Sequence, residues 1–212
     1  MSSVSVKFLF DFGSPNAYMS HKVIPAIEAR TGVSFEYIPT LLGGLFKLSG
    51  NRSPAEAFAG IPKKRAYDEL EMRRFIAKHG LTRFQPNPHF PVNTLKIMRG
   101  AVASIELGCS KAYVDAVFSA MWEQGLNMDD ADQIQAVLEA ADLDAAALLE
   151  KSQEPAVKAR LLANTQEAFE SGAFGSPMFL VGDEIYFGKD RLLEVEEQIV
   201  RAASMAVTQA ST

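Results

Sequence analysis

Apolar positions in this chain fall into two regimes. Near the ends they form short β-rich runs: Val4–Phe12 and Ser34–Ile38 at the start, Met178–Val181 and Ile185–Phe187 at the finish. Gly182-Asp183-Glu184 links the last two as a hairpin. Between the first two, Ala17–Ala29 has a helical pattern that Thr31-Gly32 closes, and Leu192, Val195 and Ile199 mark a final helix. In the middle the period changes. Leu95, Met98, Val102 and Ile105 share one helical face, and Tyr113, Val114, Val117, Phe118, Met121 and Trp122 form a broad stripe. Residues 130–141 and 143–151 are rich in helix formers, and Leu161, Leu162, Thr165 and Phe169 continue the pattern. These stripes are read as core. The proline-rich stretch 85–91 separates helices.

The order is β-α-β, a long helical block, then β-β-α. A right-handed βαβ unit and a terminal ββα unit can share one four-stranded sheet, with the helical block budding from the middle. That is the connectivity of an α/β, thioredoxin-like domain with a large all-helical insertion. Residues 1–39 plus 172–212 form the sheet domain, and 40–171 the insertion.

At 212 residues, 48% hydrophobic and 22% charged, the composition is that of a globular protein. A net charge of −5 without a basic stripe argues against a nucleic-acid partner. No apolar run reaches membrane-spanning length, and no secretory signal is visible, so the expectation is a cytoplasmic protein. Cys109 is the single cysteine, which excludes a disulfide framework and a Cys-x-x-Cys pair within one chain. Inside a helical pattern, it reads as buried and inert. No His/Cys/Asp cluster has metal-ligand spacing. None of His21, His79 and His89 sits in a hydrolase motif with Ser14, and His21 reads as a surface or packing residue.

Four segments carry candidate chemistry. Gly13-Ser14-Pro15 ends a strand and begins a helix, with proline suited to the first helical position. Ser14 reads as an N-cap, or as a hydroxyl that donates to an anion at the helix N-terminus. In a thioredoxin-like frame the redox position reads Ser14-Pro15-Asn16-Ala17, so the chain has no dithiol there. A hydroxyl at such a place can instead hold an external thiolate. Pro177, at the head of the third strand, is ordinarily read as trans. The chain order instead puts it at the cis-proline position, facing the first turn, where free backbone groups could pair with an extended ligand. Gly188-Lys189-Asp190 precedes the last helix, with Asp190 a plausible N-cap or a holder of a free α-amino group. Gly43 to Arg52 reads as a glycine-flanked loop whose Lys47 and Asn51 could meet a carboxylate.

Together, Phe10-Asp11-Phe12-x-Ser14-Pro15-x-x-Tyr18, Gly-x-Phe-Gly-x-Pro at 172–177 and Phe-Gly-x-Asp-Arg at 187–191 resemble the 2-hydroxychromene-2-carboxylate isomerase family. That family is related to kappa-class glutathione transferases, whose glutathione-site loop is similar to Gly44-x-x-Lys47-x-Ser49-Gly50-Asn51-x-x-Pro54. The resemblance implies a homodimer that uses glutathione on a small aromatic 2-oxo acid. It implies that Ser14 stabilises the glutathione thiolate and that Ser176, before Pro177, pairs with the cysteinyl backbone. Gly188, Lys189 and Asp190 would flank the γ-glutamyl group. Asn51 and Lys64 would contact glutathione or substrate, and Lys47 and Phe90 would line the substrate side. Two positions depart from the family: Ser176 replaces a branched apolar residue, and Lys189 replaces a small polar one. The implied activity is glutathione-dependent isomerisation. The alternatives are a kappa-class-like transferase or peroxidase, and a thiol-less peptide-binding protein.

Overall fold

In the computed structural model, which describes residues 4–210, the first apolar run becomes β1 (Val6–Phe10) and stops one residue before Asp11. Helix α1 (Pro15–Thr31) follows, capped by Ser14 and closed by left-handed Gly32 (φ 69°), whose N–H donates to the Glu28 carbonyl at 2.8 Å. It outruns the expected Ala17–Ala29 at both ends and runs through Pro25. Then come β2 (Glu36–Pro39) and a helical series: α2 (Leu42–Ser49), α3 (Pro54–Ala57), α4 (Pro62–His79), α5 (Leu95–Glu106), α6 (Ser110–Trp122), α7 (Ala131–Ala140), α8 (Ala145–Gln153) and α9 (Pro155–Glu170). Strands β3 (Met178–Val181) and β4 (Glu184–Phe187), a 3-10 turn (Lys189–Arg191) and α10 (Leu192–Ala210) complete the chain.

The four strands form one mixed sheet in the order β2-β1-β3-β4, with β1 parallel to β2 and antiparallel to β3. Alternation along β1 assigns its two faces. Val6, Phe8 and Phe10 enter the main core, where Phe8 stacks on Phe179 (5.4 Å) and meets Tyr37 edge-on (4.9 Å). That core continues through α1 and α5 into Val157 and Leu161 of α9. Leu9 points the other way, into a smaller cluster with Leu45 of α2, Ala168 and Met178.

The segment read as a glycine-flanked loop is therefore largely helix. Leu45 is fully buried and anchors α2 to the back of the sheet, while Gly43 and Gly44 lie within its first turn. A Cβ on Gly44 would lie 3.0 Å from the Thr165 methyl, so α2 approaches α9 more closely than a larger residue allows. Helix α4 gives only a weak hydrophobic period for a different reason: none of its 18 residues is fully buried, and only Met72, Phe75 and Ile76 rest partly on the core. Its surface carries spaced ion pairs, Lys64–Asp68, Arg65–Glu69 and Arg74–Glu71. Cys109 is not inside a helix. It precedes α6 as its N-cap and is half-buried, and burial raises its thiol pKa. No helix among the described residues is long and apolar enough to cross a membrane.

Candidate active site

Ser14 performs its capping role by accepting from the Ala17 N–H at 3.2 Å. Its hydroxyl also crosses to the far end of the chain, donating to the Ser176 carbonyl at 2.9 Å. Both residues are buried, Ser14 at 4% exposure. The Ser176–Pro177 bond is cis. A serine hydroxyl has one donor, and here that donor is engaged by the carbonyl preceding the proline.

The frame around this pair is closely tied. The Asp11 N–H donates to Ser176 Oγ (3.1 Å), a bond that no apolar side chain at 176 could make. Asp11 itself is buried. Its carboxylate accepts from the Gly13 N–H (2.8 Å) and the Leu42 N–H (2.8 Å), and it also bonds Thr94. Burial raises its pKa above the ordinary carboxylate value, and the three hydrogen bonds oppose that shift. Asp11 thus joins the Ser14 turn to the start of α2 and to the residue before α5. The Trp122 indole donates to the Phe12 carbonyl at 2.8 Å and holds the turn from the α6 side.

The loop before Pro177 is pinned from two further directions. Asn51, just past the left-handed Gly50 that ends α2, donates to the Phe174 carbonyl at 3.0 Å. The Phe174 ring lies 4.7 Å from that of Phe187, and a Cβ on Gly175 would sit 3.0 Å from the Phe187 ring. The Gly188 N–H donates to the Pro177 carbonyl at 3.0 Å, and Gly188 has φ 93°, a conformation that favours glycine.

Asp190 does not cap a helix. It lies within the 3-10 turn, whose N-cap is Gly188. Its carboxylate receives the Lys189 ammonium at 2.5 Å, while Lys189 is itself 5% exposed and sits 4.8 Å from the centre of the Phe75 ring of α4. The acid expected to hold an α-amino group is therefore already matched by its neighbour.

The structure thus gathers Ser14, Ser176, Pro177 and Gly188 into one frame, sets Lys189 and Asp190 beside it, and ties Asn51 to it through Phe174. It does not link Lys64 or Lys47 to that frame. Lys64 pairs with Asp68 and lies 5.0 Å from the centre of the Phe58 ring, and Lys47 is exposed on α2 without a polar partner among the described residues. Phe90 is tied to the frame only through Trp122: it is 48% exposed, in a second cis bond with Pro91, its ring 6.0 Å from that of Trp122. Asp11 stands in the first sequence motif with no task that the motif alone assigns. The available signal was a charge set between Phe10 and Phe12 in a buried run. Thr94 and Trp122 gave no comparable signal.

His21 is a packing residue rather than a surface one. It stacks on Phe118 (5.0 Å), its Nδ1 meets the Tyr37 hydroxyl (2.9 Å) and its Nε2 meets Asp115 (2.9 Å). Among the described residues no His/Cys/Asp/Glu group could hold a metal ion.

Comparison with known proteins agrees with the connectivity. A 2-hydroxychromene-2-carboxylate isomerase from Sphingobium xenophagum is 28% identical over 198 residues, covering 92% of this chain and 98% of its own length. The glutathione S-transferase kappa 1 of Homo sapiens is 24% identical over 206 residues, covering 89% and 87%. A solved 2-hydroxychromene-2-carboxylate isomerase superposes with a TM-score of 0.79 at 26% identity, over 96% of this chain and 98% of that one. Pseudomonas aeruginosa DsbA shares the fold at a TM-score of 0.59 and 16% identity, over 97% and 86%. The DSBA-like thioredoxin domain model matches residues 5–200, and the chain belongs to that family.

Proposed function

We propose that this protein is a glutathione-dependent isomerase acting on a small aromatic 2-oxo acid of the 2-hydroxychromene-2-carboxylate type. The interconversion partner is the corresponding trans-o-hydroxybenzylidenepyruvate type. The observation that carries the reading is the Ser14 hydroxyl, at a helix N-terminus, bonded to the carbonyl before a cis-proline in a chain with no second thiol. Bound glutathione supplies a thiolate whose addition to a conjugated double bond makes it single, allows rotation, and is reversed by elimination, leaving glutathione unchanged.

The residues fit this cofactor at its sulfur end. Ser14 turns its O–H from the Ser176 carbonyl to the sulfur, and the helix N-terminus adds favourable charge there. The same turn frees the Ser176 carbonyl to accept the cysteinyl N–H. One protein hydrogen bond is exchanged for two to the ligand. Asp11 acts indirectly, holding the turn so that Ser14 keeps its aim. Asn51 fixes the carbonyl of Phe174, and the exposed rings of Phe174, Phe187 and Phe90 provide apolar rim. Lys47 is the cation proposed for the substrate carboxylate, and Lys64 would have to exchange its Asp68 partner to meet a carboxylate of glutathione. The fit is weaker at the γ-glutamyl end, where Lys189 competes for Asp190. In this reading residues 1–39 and 172–212 hold the thiol, and 40–171 shape the substrate side in a cytoplasmic homodimer.

The test is to incubate the protein with glutathione and the chromene carboxylate and to measure both product and free thiol. Isomer formation with no loss of glutathione supports the proposal. Consumption of glutathione as a conjugate makes the protein a transferase. Absence of glutathione binding with retained binding of extended peptides makes it a peptide-binding protein.

A further inference from the structure

A cavity of about 270 Å³ lies within the helical block, and none of its lining residues belongs to the Ser14 site. Ile134 and Leu138 of α7 and Leu148 and Leu149 of α8 give it apolar walls. Tyr113 also lines it, and its hydroxyl is committed to the Ile97 carbonyl at 2.9 Å. The charged groups that line it are Lys96 and Arg99, both cations on α5, and no acid joins them. Lys96 is already balanced by the Asp129 carboxylate (3.1 Å) and carbonyl (2.6 Å). Arg99 is half-buried and makes no hydrogen bond or ion pair among the described residues. The contrast with the wider cleft between α1, β2 and α6, about 1220 Å³, is informative. There Glu28, Glu36, Glu106, Asp115 and Glu123 accompany the cations.

A guanidinium with no acid partner, beside a cavity that is largely apolar and whose neutral polar lining includes Ser152 and Gln153, has a definite chemical complement. A carboxylate accepts two parallel hydrogen bonds from the guanidinium fork, and the attraction is strengthened away from bulk water. The apolar walls take the remainder of the ligand. The volume is just below the roughly 300 Å³ at which ordinary ligand pockets begin, which limits that remainder to one ring or a short chain. We propose that this cavity is a second binding site, for a small apolar monocarboxylate, with Arg99 as its anchor. The proposal does not rest on the reading of Ser14.

Benzoate and its neutral counterpart benzyl alcohol serve as probes, each titrated into the intact protein and followed by methyl NMR. The expected result is saturable benzoate binding with shifts at the methyls of Ile134, Leu138 and Leu148. Arg99→Gln should weaken benzoate about tenfold and leave benzyl alcohol unchanged, the loss of one charge-assisted pair. Ser14→Ala should leave the cavity shifts in place. Arg99 has no partner to lose among the described residues, and the methyl spectrum itself reports whether the variant is folded. No saturable shift at these methyls overturns the proposal. So does equal benzoate affinity in the native and Arg99→Gln proteins, or loss of the cavity shifts in Ser14→Ala.

Discussion

Asp11→Asn tests how the active turn is held. The carboxylate now accepts from two backbone donors, Gly13 and Leu42, one on each oxygen and each at 2.8 Å. Asparagine keeps the shape but offers one carbonyl oxygen, so its NH₂ must face one of those N–H groups. That leaves one buried donor unpaired and removes a charge-assisted bond, while relieving the cost of burying a charge. The net loss should be about 2 kcal/mol. For a domain of this length that lowers Tm by about 4–8 °C. The pH dependence provides a sharper check. Burial raises the Asp11 pKa in the folded state above the ordinary 3.8. The folded protein therefore binds this proton at higher pH than the unfolded chain. Its contribution strengthens as pH falls through the folded value and is complete below 3.8. Denaturant unfolding of both proteins from about pH 7 to about pH 4 should show the stability gap widening as pH falls. A gap that narrows would mean that the fold favours the ionised form, and the argument for burial as the dominant effect would fail.

Three other perturbations have defined outcomes. Gly100→Ala places a Cβ 2.0 Å from the Tyr113 hydroxyl, and despite the better helix propensity of alanine it should cost about 2 kcal/mol in chemical denaturation. Hydrogen bonding to His21, aided by Lys111, lowers the Asp115 carboxyl from 3.8 to about 2, so its stabilisation is full above 3.8 and lost as pH falls toward 2. Asp115→Asn should cost about 1 kcal/mol near neutral pH, because the group is 44% exposed, and should flatten stability across that acid window; an unchanged acid profile would contradict this. Lys189→Ser removes the contact with Phe75, worth about 1 kcal/mol, and frees Asp190. Calorimetry should then show tighter glutathione binding, and weaker binding would show that Lys189 itself holds the ligand.

The four strands and their sequence along the chain were legible because the terminal segments carry unbroken β-rich runs and their connectors carry turn residues. Ser14 was legible for a related reason: a hydroxyl and a proline interrupt such a run at a helix start. Helix α2 was obscured by Gly43 and Gly44, both poor helix formers; Gly44 serves the close approach to α9, while a Cβ on Gly43 would meet nothing within 4 Å. Helix α4 was obscured because its apolar stripe is short, Met72, Phe75 and Ile76 only, and none of these is completely buried. The tasks of Asp11, Thr94 and Trp122 depend on contacts across 31, 83 and 110 positions of the chain, and no local pattern announces such pairings. The matching of Asp190 by Lys189 depends on a side-chain direction set by Phe75, which adjacency in sequence does not reveal.

The central claim is that Ser14 holds the thiolate of bound glutathione, and the pKa of that thiol tests it most directly. Ultraviolet thiolate absorbance of the glutathione complex, titrated against pH, should give a value well below that of free glutathione. In Ser14→Ala the value should rise by about 1 unit, the worth of one hydrogen bond to a charged group. The same thiol pKa in both proteins, with glutathione bound in each, would contradict the account.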